Sequence, residues 1–262
     1  MRKLYWAPRD IFFLVLKYFN LKLIRINQKE RPGVNLNVGC GSNSISGFID
    51  LDFYSDHYYG YIKFYGSRPF NKVNYDMRKD KLPFNDNFVD NIYCSHVIEH
   101  VESSHVKTFF EESYRCLKKG GFLRVSCPDA FYLFNQLKEF PEYFSWHPMY
   151  VSANDATKCF VDELATHKLN LKDFGLNKGL NEYNYSELVN ELSKGASFDE
   201  NDPSKHISIW DPSIMKKALL DAGFQNVYES KPQGSSSPNM QGSDIDVTTI
   251  GMSCYVECYK ST

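Results

Sequence analysis

From residue 34 onward, short apolar runs alternate with stretches of helical periodicity. Val34–Val38 reads as a short strand that runs into Gly39-Cys40-Gly41-Ser42. Phe48–Asp52 and Val73–Asp76 read as two more strands, with a polar, aromatic stretch between them. Leu82-Pro-Phe-Asn-Asp86 is a turn, and Phe88–Ser95 a fourth strand, followed by His96–His100. Val106–Leu117 has helical spacing and stops at Lys118-Lys-Gly-Gly121, basic residues in a last turn with glycine after them. Phe122–Cys127 is a buried strand, Ile214–Ala222 a helix closed by Gly223, and Phe224–Tyr228 and Thr248–Tyr259 the closing strands. Ser230–Asp246 is a Gly/Ser/Pro-rich loop. This alternation predicts an α/β fold: a mostly parallel sheet with helices on both faces.

Two segments break the rhythm. Residues 1–31 place Ile11, Phe12, Val15, Leu16, Phe19 and Leu23 at helical spacing and carry a net +6. They predict a basic amphipathic helix that docks on the domain, on a membrane surface or on a glycosyltransferase partner. Residues 130–205 hold eight aromatic residues between Phe131 and Tyr150 and few β-branched runs, so helices and loops inserted between strands are expected. Residues 32–262 then form one domain with this insert.

Composition narrows the class. Of 262 residues, 42% are hydrophobic and 24% charged, which excludes wholesale disorder and collagen or coiled-coil classes. The net charge of −2 becomes −8 once residues 1–31 are set aside, so no nucleic-acid partner is expected. The seven cysteines are an odd number without a Cys-x-x-Cys pair, which fits neither a disulfide framework nor a zinc ribbon. A reducing, cytoplasmic setting, peripheral to the inner membrane if residues 1–31 bind there, is the expectation. No apolar run is long enough for a membrane span.

Gly-x-Gly directly after a strand lets the backbone turn sharply and approach a ligand closely. A dinucleotide fingerprint would need glycine at position 44, which is Ser44, and an acidic residue well beyond Asp52. Asp52 ends the second strand, where a carboxylate can accept both ribose hydroxyls of a nucleoside. Asp76-Met77 could flank an adenine.

Four blocks in this order resemble class I S-adenosylmethionine-dependent methyltransferases: Leu36–Ser42, Gly47–Asp52, Leu82–His100 and Tyr114–Arg124. The last two resemble the L-P-F-x-D-x-x-x-D and E-x-x-R-x-L-K-x-G-G patterns of that superfamily. His206…Trp210-Asp211, Leu219-x-x-Ala222-Gly-Phe224 and Ser253–Glu257 resemble a subgroup encoded with bacterial surface-polysaccharide genes. The resemblance implies a Rossmann-like seven-stranded sheet, order 3-2-1-4-5-7-6 with strand 7 antiparallel. It implies S-adenosyl-L-methionine as cofactor. Val38, Gly39, Cys40, Gly41 and Ser42 would wrap its methionine part, and Asp52 would hold the ribose. Asp76, Met77 and Arg78 would border the adenine, and Ser95 and His96 would line the methionine end near the reactive methyl.

His96-Val-Ile-Glu99-His100 leaves three readings open. His-x-x-Glu-His is the inverted zincin pattern of a metalloprotease. The block also resembles the Glu-x-x-Glu-His motif of metal-dependent RNA 2′-O-methyltransferases and ubiquinone-pathway O-methyltransferases, with a divalent metal beside the cofactor. Or it is structural, and no residue is assigned here as a metal ligand. The general base for a hydroxyl acceptor would come from His96, Asp129 or His206, with His100 and His147 as further candidates. The expected activity is O-methylation of a sugar hydroxyl in a bacterial surface glycan, O-antigen or capsule. A small-molecule or RNA methyltransferase and a non-catalytic cofactor-binding scaffold of a glycosyltransferase complex are the alternatives.

Overall fold

The computed structural model describes residues 31–53, 72–139, 160–161, 163–168 and 182–261. The helix expected over residues 1–31 lies outside the described residues except for Arg31, as do His147 and much of the insert.

Seven strands form one sheet: β1 Asn35–Val38, β2 Phe48–Asp52, β3 Lys72–Asn74, β4 Val89–Ser95, β5 Leu117–Pro128, β6 Asn226–Glu229 and β7 Ser253–Tyr259. Their order is β3-β2-β1-β4-β5-β7-β6, as expected. β1 pairs in parallel with β2 and β4, while β7 runs antiparallel to β5 and β6. β1 is buried along its whole length and β4 nearly so, as central strands covered on both faces are. From β1 the strand order runs outward to β2 and β3 on one side and to β4 and β5 on the other, so the carboxyl ends of these parallel strands open into a crevice at this switch point.

Helix α1, Ser103–Cys116, buries Val106, Phe109, Phe110, Ser113 and Cys116, a stripe at helical spacing. The expected C-terminal turn at Lys118-Lys-Gly-Gly121 is not there. The helix ends at Cys116 and residue 117 already pairs with Val89, so β5 begins five residues early, with an irregular stretch before Phe122. Gly120 takes φ +76°, which supplies that break without helix. Thr248–Met252 is likewise not strand: Thr249 has φ +40° and a 3₁₀ turn over Ile250–Met252 precedes β7. Helix α2, Ala130–Glu139, and helix α3, Tyr185–Ser193, bury Leu133, Phe134, Leu137, Leu188 and Leu192 in a second core within the insert. Helix α4, Pro212–Asp221, starts with Asp211 accepting from the Ile214 amide and Pro212 in its first turn.

The loop 230–246 is polar but not loose. It wraps Arg124, whose side chain is fully buried in β5. The guanidinium donates to Asp246 at 2.6 Å and 3.2 Å, to Glu257 at 3.3 Å, to the Ser230 hydroxyl at 3.0 Å and to the Lys231 carbonyl at 2.8 Å. Asp246 takes the closest of these contacts, so removing it leaves guanidinium N–H groups unmet in a buried site, with only Glu257 left to face the charge. Asp246→Ala is expected to lower the unfolding free energy by about 3–5 kcal/mol, read from urea denaturation. A loss under about 1 kcal/mol would mean the loop does not depend on this pair.

Candidate functional site

A cleft opens at the carboxyl ends of β1, β2 and β4, with about 690 Å³ of empty space including its mouth. The glycine turn forms its floor. Gly39 takes φ +69° and its amide donates to the Leu51 carbonyl at 2.8 Å. A Cβ at Gly39 would fall 2.0 Å from Val97 Cγ2, so no other residue fits there. Gly41 takes φ +51°, and a Cβ on it would meet nothing within 4 Å. The room beside Gly41 is therefore cleft, and its bare backbone lets a ligand approach. Asn37, buried in β1, ties the turn down by donating to Asp50 and to the Asn43 carbonyl, both at 2.8 Å.

Asp52, at the end of β2, receives the Gly41 amide on Oδ2 at 2.6 Å and the Phe53 amide on Oδ1 at 2.8 Å. The Cys40 thiol also donates to Oδ2 at 3.5 Å, and Asp52 borders the cleft. Asp76 is committed differently. Its two oxygens accept a fork from Arg78, Nε at 2.9 Å and Nη2 at 2.7 Å. The Arg78 guanidinium then lies over the Phe198 ring at 3.6 Å and the Phe53 ring at 5.0 Å. Tyr75, Met77, Phe198 and Pro203 complete this apolar wall. It suits a flat heteroaromatic ring.

The opposite wall is polar. His96 ends β4 with φ +54°, a left-handed conformation that a residue with a side chain rarely takes. Its amide donates to the Ser126 carbonyl at 2.9 Å, which holds it in place. Its Nε2 lies 2.8 Å from the Ser253 hydroxyl and its Nδ1 3.2 Å from Glu99 Oε1. Glu99 is buried in the 3₁₀ turn Ile98–His100. Burial alone would raise its pKa, but the His96 ring against it and the nearby His100 and His206 bring it down to about 2. His206 packs edge-on against His100, ring centroids 4.6 Å apart. Burial pushes His206 down to about 4, with His100 adding to the shift and Glu99 opposing it.

Of the residues expected to hold the cofactor, Val38, Gly39, Gly41, Asp52, Asp76, Met77, Arg78 and His96 line the cleft. Cys40, Ser42 and Ser95 are not among the lining residues. The Cys40 thiol is buried 3.5 Å from Asp52, Ser42 is exposed, and the Ser95 hydroxyl accepts from Ser126 at 2.8 Å. Among the described candidate bases, His96 and His100 reach the cleft wall. Asp129 instead accepts the Tyr132 amide at 2.9 Å, capping α2, and burial raises its pKa. His206 stands behind His100. Phe53, Tyr75, Val97, Val101, Phe198 and Pro203 line the cleft without having been anticipated. Phe53 directly follows Asp52 and was legible by position; Phe198 and Pro203 come from the far end of the insert and carried no signal.

Two outcomes follow from this geometry. Gly39→Ala should cost about 1–3 kcal/mol of stability from backbone strain alone, more with the Val97 clash, as read by thermal unfolding. The acid limb of stability is the second. Unfolded, His206 takes its proton near 6.5; folded, it does so only near 4. Between those values the unfolded chain binds more protons, so acid lowers stability there, by up to about 3 kcal/mol. Urea midpoints of metal-stripped protein at several pH values should show this fall, and His206→Gln should flatten it.

Residues 36–125 match the family model for a methyltransferase domain. No curated protein matches the chain. Among solved structures, an S-adenosylmethionine-dependent methyltransferase from Archaeoglobus fulgidus is 14% identical, with a TM-score of 0.45 over 98% of this chain and 99% of that one. A Thermotoga maritima S-adenosylmethionine-dependent methyltransferase is 12% identical, with a TM-score of 0.44 over 98% and 97% of the two chains. Human N-acetylserotonin methyltransferase, solved with S-adenosylmethionine, is 14% identical, with a TM-score of 0.42 over 96% of this chain and 55% of that one. The family match runs from β1 into β5 and takes in the glycine turn, and over those residues the chain is similar to a methyltransferase domain.

Proposed function

We propose that this enzyme methylates a hydroxyl oxygen, and that the acceptor is a sugar of a bacterial surface glycan. His96 carries the oxygen-acceptor reading. It is an imidazole on the cleft wall at the carboxyl end of β4, pinned between Ser253 and Glu99. A hydroxyl gains from a base in reach, and the imidazole takes that role when the acceptor hydroxyl replaces Ser253 at Nε2. The bound cofactor supplies a methyl group already activated on a sulfonium, so the protein's share is alignment. Gly39 and Gly41 approach the methionine part with bare backbone. Asp52 accepts from the ribose hydroxyls. Phe53, Arg78 and Phe198 bracket the adenine, with Asp76 positioning Arg78 rather than meeting the base itself.

The sugar rests on two further supports. The blocks around Trp210, Gly223 and Ser253 resemble the surface-polysaccharide subgroup. The −8 balance outside residues 1–31 disfavours RNA, which asks for a basic face. Residues 1–31 would bring the enzyme to the membrane where such glycans are assembled.

S-adenosylhomocysteine should bind the purified protein, and Asp52→Ala should abolish or greatly weaken that binding in calorimetric titration. His96→Ala should lower methyl transfer about 10²–10⁴-fold while the product still binds. Transfer of labelled methyl into RNA and into no glycan of an acceptor panel would overturn the sugar assignment.

A further inference from the structure

Behind the cleft wall lies a cluster of which the methyl-transfer reading uses only the contact between Glu99 and His96. The Glu99 side chain is only 3% exposed, and neither of its carboxylate oxygens accepts a hydrogen bond among the described residues. A buried carboxylate left in that state is costly unless something positive meets it. His96 Nδ1 stands 3.2 Å from Oε1, and two further imidazoles lie close by. His100 Nδ1 lies 3.2 Å from the Lys205 carbonyl, and His206 Nδ1 lies 2.6 Å from the Glu163 carbonyl. A carbonyl only accepts, so in both rings the proton sits on Nδ1. In a neutral ring Nε2 is then a bare lone pair. His100 Nε2 lies 4.0 Å from Glu99 Oε1. One ligand atom each from Glu99, His100 and His206 falls within 4.8 Å of the others. On the side away from His96, two lone pairs thus converge with the carboxylate and neither His100 nor His206 puts a proton between them.

We propose that Glu99, His100 and His206 bind a divalent transition-metal ion. Two imidazoles and one carboxylate are a nitrogen-rich set that suits zinc, manganese, iron or cobalt better than calcium or magnesium. The Lys205 and Glu163 carbonyls are the outer partners that fix ring tautomer and orientation in metal sites. Three protein ligands, rather than four, leave the ion open to a further ligand. His100 also lines the cleft, so the ion borders it. The ligands come from two distant segments, residues 99–100 and residue 206, so the ion clamps the insert to the end of β4. The proposal is independent of which acceptor is methylated.

Full-length protein is stripped with chelator and titrated calorimetrically with zinc and, separately, with manganese. S-adenosylhomocysteine is titrated into the same stripped sample, so the cofactor cleft is read on its own. The expected result is uptake of one equivalent of ion and a rise in thermal midpoint with ion concentration. Glu99→Gln, which keeps the side chain's shape, and His206→Gln should each weaken ion binding at least about tenfold. His105→Gln, outside the cluster, should bind as wild type does. Cobalt bound to the stripped protein should show visible ligand-field absorption that both cluster variants lose. Stripped wild type that is folded by circular dichroism but takes up neither ion stoichiometrically overturns the proposal. So does unchanged affinity in both variants. Ion binding without S-adenosylhomocysteine binding would instead keep the metal site and remove the cofactor reading.

Discussion

The two strand ends at the centre of the sheet nearly touch, and the site depends on that contact. β1 and β4 are parallel neighbours, with Val38 beside Cys94. Their continuations must separate to leave a crevice, yet Val97 packs where a Cβ of residue 39 would be. Glycine at 39 resolves the conflict on one side. On the other, His96 takes a left-handed backbone that turns the chain away from β4. That turn sends Ile98 into the core and carries Glu99 under the cleft wall, both buried. Cradle, polar wall and buried acid are therefore consequences of one close approach.

Buried charge is treated in two ways within this fold. Around Arg124 every charge is met: Asp246 and Glu257 face the guanidinium, and hydroxyls and a carbonyl take the remaining donors. Such a network is closed and holds a loop in place. Around Glu99 the His96 ring stands at 3.2 Å, while the Nδ1 protons of His100 and His206 are directed to backbone carbonyls instead. The contrast is in where the donors point, not in how many lie nearby. A closed network serves packing, whereas an open one beside a cleft is arranged to meet something else.

The strands, the glycine turn and most of the cleft wall were legible because they are local, and the strand order followed from the family resemblance. A Gly-x-Gly after a strand and an acid at the next strand's end name their positions directly. Asp76 was legible as a cleft residue but not in its partner, since the Arg78 fork depends on side-chain reach. The helix end at Lys118–Gly121 was misread because basic residues followed by glycine also suit an irregular strand entry, and pairing of residue 117 with Val89 decided it. The link between His206 and Glu99 lies across more than a hundred residues, so no spacing rule could reveal it. Phe198 was hidden for the same reason.

The last limb of the insert matters more than its composition suggested. The Phe198 amide donates to Glu102 at 3.0 Å, while its ring carries Arg78. Further on, the amides of Ile207 and Ser208 donate to the Glu99 carbonyl at 2.8 Å and 3.0 Å. The Ser208 hydroxyl donates to the Ile98 carbonyl at 2.8 Å and receives the Trp210 indole at 2.8 Å. Asp211 then caps α4. One strip of chain thus touches the apolar wall at one end, the histidine cluster in its middle and the core at the other. Anything that orders Phe198 against a bound ring must also bear on the backbone beside Glu99. The apolar and polar walls of the cleft, made by different strands, are joined through this strip as well as through the sheet.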